Sequence, residues 1–356
     1  MQQPHRQQPH PNNISARHLH SASRLRYDVL SGEWVLFVPK RFDPAKSYDF
    51  VTVPPQKVSA TTCPFDDPQA AGNKAPHFWL PANQPLSQWR VQVLENKFPA
   101  LEPLEAAGYS YVAGADDLPG YGYHDLLIMR DHKKTLGSYS EERVGEVFEA
   151  IQQRVHDVMR DTRIYYSALF QNQGPLAGAS IAHSHLQMIS LPVVPRHIRH
   201  ELLHAASFYT KHHACFLCHE QTAHHAAART LYRDAHAIVS ASYTSREPFE
   251  LMVIPRVHSA SFETASPDVM HGVVRALHDA LHTLEEHGMT DYNWYVHTAP
   301  FHGLRSTQQR SYHWYIRIVP RFTRIGVDAG FELGTGIQEN PILPQDAIAA
   351  LKAHKS

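Results

Sequence analysis

Residues 172–195 read NQGPLAGASIAHSHLQMISLPVVP, and the end of this stretch recurs late in the chain. HSHLQMISLP, starting at His183, matches HWYIRIVP, starting at His313. Other segments pair in the same way: CPFDD from Cys63 with CFLCHE from Cys215, LLIMRDHKKTL with LMVIPRVHSASF, and YYSALFQNQG with NWYVHTAPFHG. Four matched segments in one order point to a duplicated module of about 150 residues. In the first copy, YHDLLIMRDH and IYYSALFQNQG have strand character. Between them SYSEERVGEVFEAIQQRVHDVMRD carries apolar positions at helical spacing behind a Ser N-cap and an acidic first turn. In the second copy, HAIVSA, FELMVIP, DYNWYVHTAPF and YHWYIRIVP read as strands, and SPDVMHGVVRALHDALHTLEEHG as a capped helix. The expected fold is α+β, with two tandem modules at 24–195 and 196–356. RYDVLSGEWVLFV, before the first module's main strands, reads as a β-hairpin.

Composition narrows the function. The net charge is −1 and the apolar fraction 43%, a globular balance without the basic bias of a nucleic-acid binder. The longest apolar runs have strand length, far below the roughly 20 residues that span a bilayer. Residues 1–23 are polar, rich in Gln, Pro and His, and lack the apolar core of a signal peptide. They read as a disordered tail on a cytoplasmic protein. Three cysteines are too few for a disulfide framework, so metal binding is their better use.

The repeat selects one ligand set per module. Cys215 and Cys218, in C-x-x-C spacing, combine with His258 and His313 into the four S and N donors that zinc prefers in a closed structural site. The matching positions in the first module are Cys63, Asp66, His132 and His183, where a carboxylate replaces the second thiolate and softens the case for metal. The other histidines, such as those in HIRHELLHAASFYTKHH, read as solvated surface residues.

His183 and His185 are two apart on an expected strand, and their side chains share a face. Gln187 follows on that face. Gly174, Gly178 and Ser180 form a turn whose N–H groups and hydroxyl can cradle a phosphate. An imidazole attacking a phosphorus needs such donors, because charge builds on the non-bridging oxygens. The second module has Tyr315 where the first has His185, which leaves one copy with a nucleophile. GPLAGAS lacks the Gly-Lys-Ser/Thr ending of a Walker loop.

NQGPLAGASIAHSHLQ resembles the signature of the galactose-1-phosphate uridylyltransferases, the two-module branch of the histidine-triad superfamily, and the resemblance runs from about Arg26 to Lys352. It implies an antiparallel sheet with one long helix per module. It also implies a ping-pong transfer in which His185 takes a nucleotidyl group from a nucleoside diphosphate sugar and passes it to a hexose 1-phosphate, with uridylyl transfer from UDP-glucose to galactose 1-phosphate as the leading expectation. Gln187 and Ser180 would assist. Asn172, Gly174 and Gly178 would contact phosphate, Asn96 in LENKFPAL the base and ribose, Arg41 in VPKR a phosphate, and Phe331 with Glu332 the sugar. A homodimer closing the site, and zinc, fit the same picture. Two departures stand out. Ser184 replaces the proline that the familiar uridylyltransferases carry between the two histidines, and His313-Trp314-Tyr315 replaces their second His-x-His. Both look closer to the ADP-glucose phosphorylase-like subgroup, where phosphate is the acceptor and the nucleotide is adenylyl. A nucleotide-binding module without turnover, or cleavage of dinucleoside polyphosphates, are the remaining readings.

Overall fold

The computed structural model describes residues 22–41, 63–103, 120–223, 226–323, 325–326 and 328–353. Residues 1–21 of the segment read as a tail lie outside the described residues.

The repeat appears as a palindrome of strands. The first module contributes β3 (Phe78–Leu80), β4 (Val91–Glu95), β5 (Tyr123–Met129), β6 (Tyr166–Gln173) and β7 (His185–Leu191). The second contributes β8 (Thr230–Arg233), β9 (Ala237–Ser240), β10 (Leu251–Pro255), β11 (Tyr292–His297) and β12 (Tyr315–Pro320). They form one sheet in the order β3-β4-β5-β7-β6-β11-β12-β10-β9-β8, with every pairing antiparallel. Each strand of one half has its counterpart at the mirrored place in the other. The halves join through β6 and β11, with Asn172 opposite Asn293 and Gln171 opposite Trp294.

One long helix per module lies on the same face of this sheet. Helix α1 (Glu141–Val158) starts where the Ser140 hydroxyl accepts a hydrogen bond from Arg143 N, with Glu141 and Glu142 complementing the positive helix end. Helix α4 (Pro267–Glu286) repeats the device: Ser266 accepts from Val269 N, Pro267 sits in the first turn, and Asp268 follows. Their apolar stripes, including Val147, Phe148 and Ile151 on α1 and Val273, Leu277 and Leu281 on α4, meet Leu186, Met188, Ile316 and Ile318 from the sheet in a single core. Because strand side chains alternate, burying Leu186 and Met188 against the helices sends His185 and Gln187 to the opposite face.

Elements outside the duplication decorate that opposite face and the second half. Helix α2 (Arg196–His212) packs Ile198, Leu202 and Ala205 against Tyr166, Ala299 and Tyr312, and contacts α5 (Ser306–Ser311); α3 (Phe216–Glu220) follows it. The hairpin read at 26–38 is β1 (Arg24–Tyr27) and β2 (Trp34–Phe37). Although it belongs to the first module in sequence, it pairs with β13 (Gln338–Asn340) and packs on the second. Arg26 Nη1 donates to the Tyr243 carbonyl at 2.7 Å, and Leu30 clusters with Cys215, Met252 and Ile254. Asn340 Nδ2 completes the seam by donating to the carbonyls of Ser245 and Glu247 at 2.9 and 3.0 Å. The chain closes with α6 (Gly330–Thr335), before β13, and α7 (Pro344–Ala353) after it. Among the described residues no helix is long and apolar enough to cross a membrane.

Candidate functional site

The 174–184 loop is shaped by the second module. Gly174 has φ +80°, and a Cβ there would stand 2.3 Å from Asp291 Oδ1, an atom that accepts Leu176 N at 2.8 Å. Only glycine permits so close an approach. Asn293 Nδ2 donates to Asn172 Oδ1 at 2.8 Å and to the Ala177 carbonyl at 2.9 Å, while Arg321 Nε fixes Asn293 Oδ1 at 2.7 Å. Gly178 then turns left-handed at φ +81° with open space around it. Beyond it the N–H groups of Ser180, Ile181 and Ala182 take no hydrogen bond among the described residues, and Ser180 is exposed. Free donors in a turn are what a phosphate needs.

A relay fixes where the next strand begins. Trp294 Nε1 donates to Gln171 Oε1 at 2.6 Å, Gln171 Nε2 donates to Ser184 Oγ at 2.8 Å, and Ser184 donates to Gln173 Oε1 at 3.1 Å. A proline at 184 could make neither of the Ser184 bonds. The strand itself starts at His185, so His183 belongs to the preceding bend and not to the strand expected for it. The last rung of β5 and β7 pairs Ile128 with His185, and His183 turns away to place its Nε2 on the Met129 carbonyl.

His185 is 5% exposed and lies edge-on to Phe65, with ring centroids 4.9 Å apart. Its Nδ1 is 2.8 Å from the His183 carbonyl, which can only accept. The proton therefore sits on Nδ1, and Nε2 carries the lone pair. Burial lowers the His185 pKa and outweighs the opposing hydrogen bond to the His183 carbonyl, so the neutral ring dominates near pH 7.

Gln187 is oriented by His124, a residue the sequence reading passed over. Ala100 N donates to His124 Nδ1 at 3.1 Å, so that nitrogen is the acceptor and Nε2 must carry the hydrogen. Nε2 lies 3.0 Å from Gln187 Oε1 and donates to it, which leaves the Gln187 NH2 to point elsewhere. The same argument settles the 3.1 Å contact with Asn96 Nδ2: two donors face each other, and that amide is free for another partner. Asn96 is otherwise fixed, accepting Phe98 N on Oδ1 and donating its own N–H to the His124 carbonyl. The signal was present in the sequence as a His-Asp pair at the head of an apolar strand. Asp125, 1% exposed, is held by Arg154 Nε at 2.8 Å and His77 Nε2 at 3.0 Å.

Both ligand sets assemble. The donor atoms of Cys215, Cys218, His258 and His313 lie within 4.8 Å of one another, as do those of Cys63, Asp66, His132 and His183. In the first set Cys218 Sγ is 3.6 Å from His258 Nδ1 and 3.4 Å from His313 Nδ1, and Cys215 Sγ is 3.8 Å from His313 Nδ1. In the second, Cys63 Sγ is 3.6 Å from His183 Nδ1, and Asp66 Oδ1 is 3.0 Å from His132 Nδ1 and 3.2 Å from His183 Nδ1. A tetrahedral ion with bonds of about 2.0–2.3 Å has edges of roughly 3.3–3.8 Å, so both sets have nearly the right spacing. His258 Nε2, 3.2 Å from the Gln309 carbonyl, and His183 Nε2, on Met129, have the backing that orients ligand imidazoles. Cys218 and the two imidazoles hold the Cys215 thiol far below its ordinary range, while burial raises Cys63.

Arg41, Phe331 and Glu332 are not brought to this site within the chain. Arg41 pairs with Glu339, Glu332 caps α6 by accepting Ala329 N at 3.0 Å, and Phe331 is exposed. Arg41 and Glu332 line a separate cavity of about 350 Å³. Among the described residues no hydrogen bond or ion pair links these three to residues 172–187.

Residues 123–194, which span β5 to the end of the loop-and-strand unit, match the family model described as the domain of unknown function (DUF4931) N-terminal domain. The chain is 29% identical over 337 residues to an ADP-glucose phosphorylase of Arabidopsis thaliana, covering 92% of each. It is 22% identical over 342 residues to a galactose-1-phosphate uridylyltransferase of Thermotoga maritima, covering 92% of this chain and 97% of the relative. A crystal structure of an Arabidopsis thaliana ADP-glucose phosphorylase with bound ADP-glucose superposes with a TM-score of 0.79 at 28% identity, covering 93% of this chain and 98% of that one.

Replacing Gly174 by Ala is expected to destabilise the protein by more than about 2 kcal/mol, combining the left-handed backbone cost with the Asp291 clash. Gly178→Ala, with the same φ and no neighbour, is expected to cost only about 1 kcal/mol. Chemical denaturation of both variants against the parent measures the difference.

Proposed function

Starting from a chain that belongs to the galactose-1-phosphate uridylyltransferase-like family, with the tandem histidine-triad fold, we propose that it transfers a nucleotidyl group through a covalent bond to His185. The observation that carries this reading is the His185 ring, with Nδ1 tied to the His183 carbonyl and Nε2 left as the nucleophile beside Gln187 and a loop of unused N–H groups. Nε2 attacks the α-phosphorus of a nucleoside diphosphate sugar. The bond from that phosphorus to the bridging oxygen breaks, and hexose 1-phosphate leaves with the electron pair. The Gln187 NH2, directed by His124, donates to a non-bridging oxygen as charge grows there. Ser180 and its neighbouring N–H groups hold the remaining phosphate oxygens, and Asn172 and Asn96 position the nucleotide. An oxygen of an incoming phosphate then attacks the same phosphorus and releases His185 unchanged.

For the substrates, we favour adenylyl transfer from ADP-glucose to inorganic phosphate. The relative at 29% identity is an ADP-glucose phosphorylase, and Ser184 and the Cys-x-x-Cys set point the same way. Uridylyl transfer from UDP-glucose to galactose 1-phosphate is the competing reading, supported by the relative at 22%. Zinc suits both four-residue ligand sets. It would supply folding energy, since four protein ligands leave no open position for chemistry. A homodimer remains part of the proposal and would free Arg41 and Glu332 to act outside their own chain.

Incubation with donor labelled at the α-phosphate is expected to leave acid-labile label on the protein, none on His185→Ala, and turnover at least about a thousandfold lower in that variant. Crossing ADP-glucose and UDP-glucose with phosphate and galactose 1-phosphate, read by product analysis, separates the two substrate readings. If neither donor labels the protein, the covalent route is wrong. His124→Phe is expected to lower kcat by about 10- to 100-fold with little change in donor KM, and His124→Gln, which keeps a donor near Nε2, to recover most of it. In a Gln187→Met background the His124→Phe loss should vanish. Elemental analysis is expected to find zinc in the purified protein, and Cys218→Ser to lose the equivalent bound by the second module and melt several degrees lower.

A further inference from the structure

The seam between the halves carries a lopsided pair of amides. Tyr295 faces Phe170 there, and two residues along Asn293 faces Asn172. Tyr292 and Trp294 on β11 and Leu169 on β6 lie in the core beneath the helices, so strand alternation puts Asn293 and Asn172 on the opposite face with His185 and Gln187. The register that sets Phe170 opposite Gln187 brings Asn172 to the level of His185. The mirrored place on the seam holds His297 and Ala168, whose methyl group can orient nothing. The amide pair stands on the side of the seam that bears His185.

The donors and acceptors of this pair admit one arrangement. Arg321 follows β12 and is anchored by its own N–H, which donates to the Asp291 carbonyl at 2.8 Å. Its Nε can only donate, and at 2.7 Å from Asn293 Oδ1 it makes that oxygen the acceptor. At the other end of the amide, the Ala177 carbonyl can only accept, and it takes a hydrogen from Asn293 Nδ2 at 2.9 Å. Two independent partners thus fix the Asn293 amide the same way round. Its remaining N–H goes to Asn172 at 2.8 Å, so Asn172 must present its oxygen there. The Asn172 NH2 is left over, and it takes no partner among the described residues. Were Asn293 inverted or removed, Asn172 would be free to turn its oxygen outward, and an oxygen repels the phosphate that an N–H group binds.

We propose that Asn293 and Arg321 are positioning residues: from the second module they hold the Asn172 amide with its N–H groups toward the phosphate bound beside His185. This rests on the nucleotidyl-transfer reading, which makes that phosphate part of a nucleoside diphosphate, and adds that a donor of the first module is oriented by the second. Asn293 and Arg321 act through Asn172 and not by contact with the ligand. That separates this role from the grip of Asn293 on the Ala177 carbonyl, whose loss would loosen the loop whatever residue stood at 172.

A double-mutant cycle between positions 293 and 172 of the full chain tests this with two readouts. One is equilibrium dialysis of the methylene-bridged analogues of ADP and UDP, which bind without reacting; the other is the rate of His185 labelling by ADP-glucose and UDP-glucose carrying label at the α-phosphate. Asn293→Leu, which keeps the size of the side chain without its polar atoms, is expected to weaken analogue binding and slow labelling by about tenfold, and Asn172→Ala to do the same. The double variant is expected to lie within about threefold of Asn172→Ala alone, because the two residues act as one unit. Arg321→Met is expected to reproduce part of the Asn293→Leu loss, and Arg321→Lys, which keeps a donor, to restore it. Losses that multiply in the double variant, or an Asn293→Leu protein that binds and labels like the parent, overturn the proposal. A parent that binds an analogue but takes no label faults the covalent route alone, and the binding cycle still decides the role of Asn293. Every variant is melted against the parent, and Asn293→Ala takes the place of Asn293→Leu in the cycle if the latter is unfolded.

Discussion

The pairing of β6 with β11 is the contact on which the rest of the molecule depends. It turns two five-stranded halves into one ten-stranded sheet and leaves neither half with an open inner edge. It also places Asp291 and Asn293 of one half beneath the 174–184 loop of the other. The Trp294–Gln171–Ser184 relay then carries the register of the seam to the first residue of β7. His185 therefore belongs to the first module in sequence, but its position is set by the second.

Strand alternation divides the labour between the faces. Leu186 and Met188, and Ile316 and Ile318 in the other half, anchor the sheet to α1 and α4. Their neighbours His185, Gln187, Tyr315 and Arg317 are thereby forced onto the opposite face. The two halves use that face differently. In the first, a free Nε2, an oriented amide and unused N–H groups remain accessible to a ligand. In the second, α2 covers the face and Glu201 gathers Tyr312, Tyr315 and His297 into a satisfied polar cluster. Such a cluster is tolerated in a buried place only because nearly every polar atom in it has a partner.

Several expectations were legible because they rest on short-range pattern. Period-two strands, Ser-capped helices and the Cys-x-x-Cys spacing are written in consecutive residues, and the internal repeat let each copy check the other. What escaped depends on distant contacts. Local alternation continues through His183 and predicts strand there, whereas the Met129 carbonyl and the Cys63, Asp66 and His132 cluster pull it out. His124 looked like one histidine among 28, and only Ala100 N and Gln187 reveal its tautomer and its use. Sequence order groups the β1–β2 hairpin with the half that follows it and says nothing of β13 arriving from the far end.

The sequence by itself determined the duplicated α+β module, the two four-residue ligand sets and the asymmetry between His185 and Tyr315, since each is a matter of residue type at a repeated position. Tertiary structure decided which nitrogen of His185 is available, which way the Gln187 amide faces, and that Arg41 and Glu332 lie apart from both. Those outcomes follow from hydrogen bonds and steric contacts between residues far apart in the chain. A pattern of neighbours cannot encode them, because the partner that fixes each proton or amide arrives only when the sheet closes at its seam.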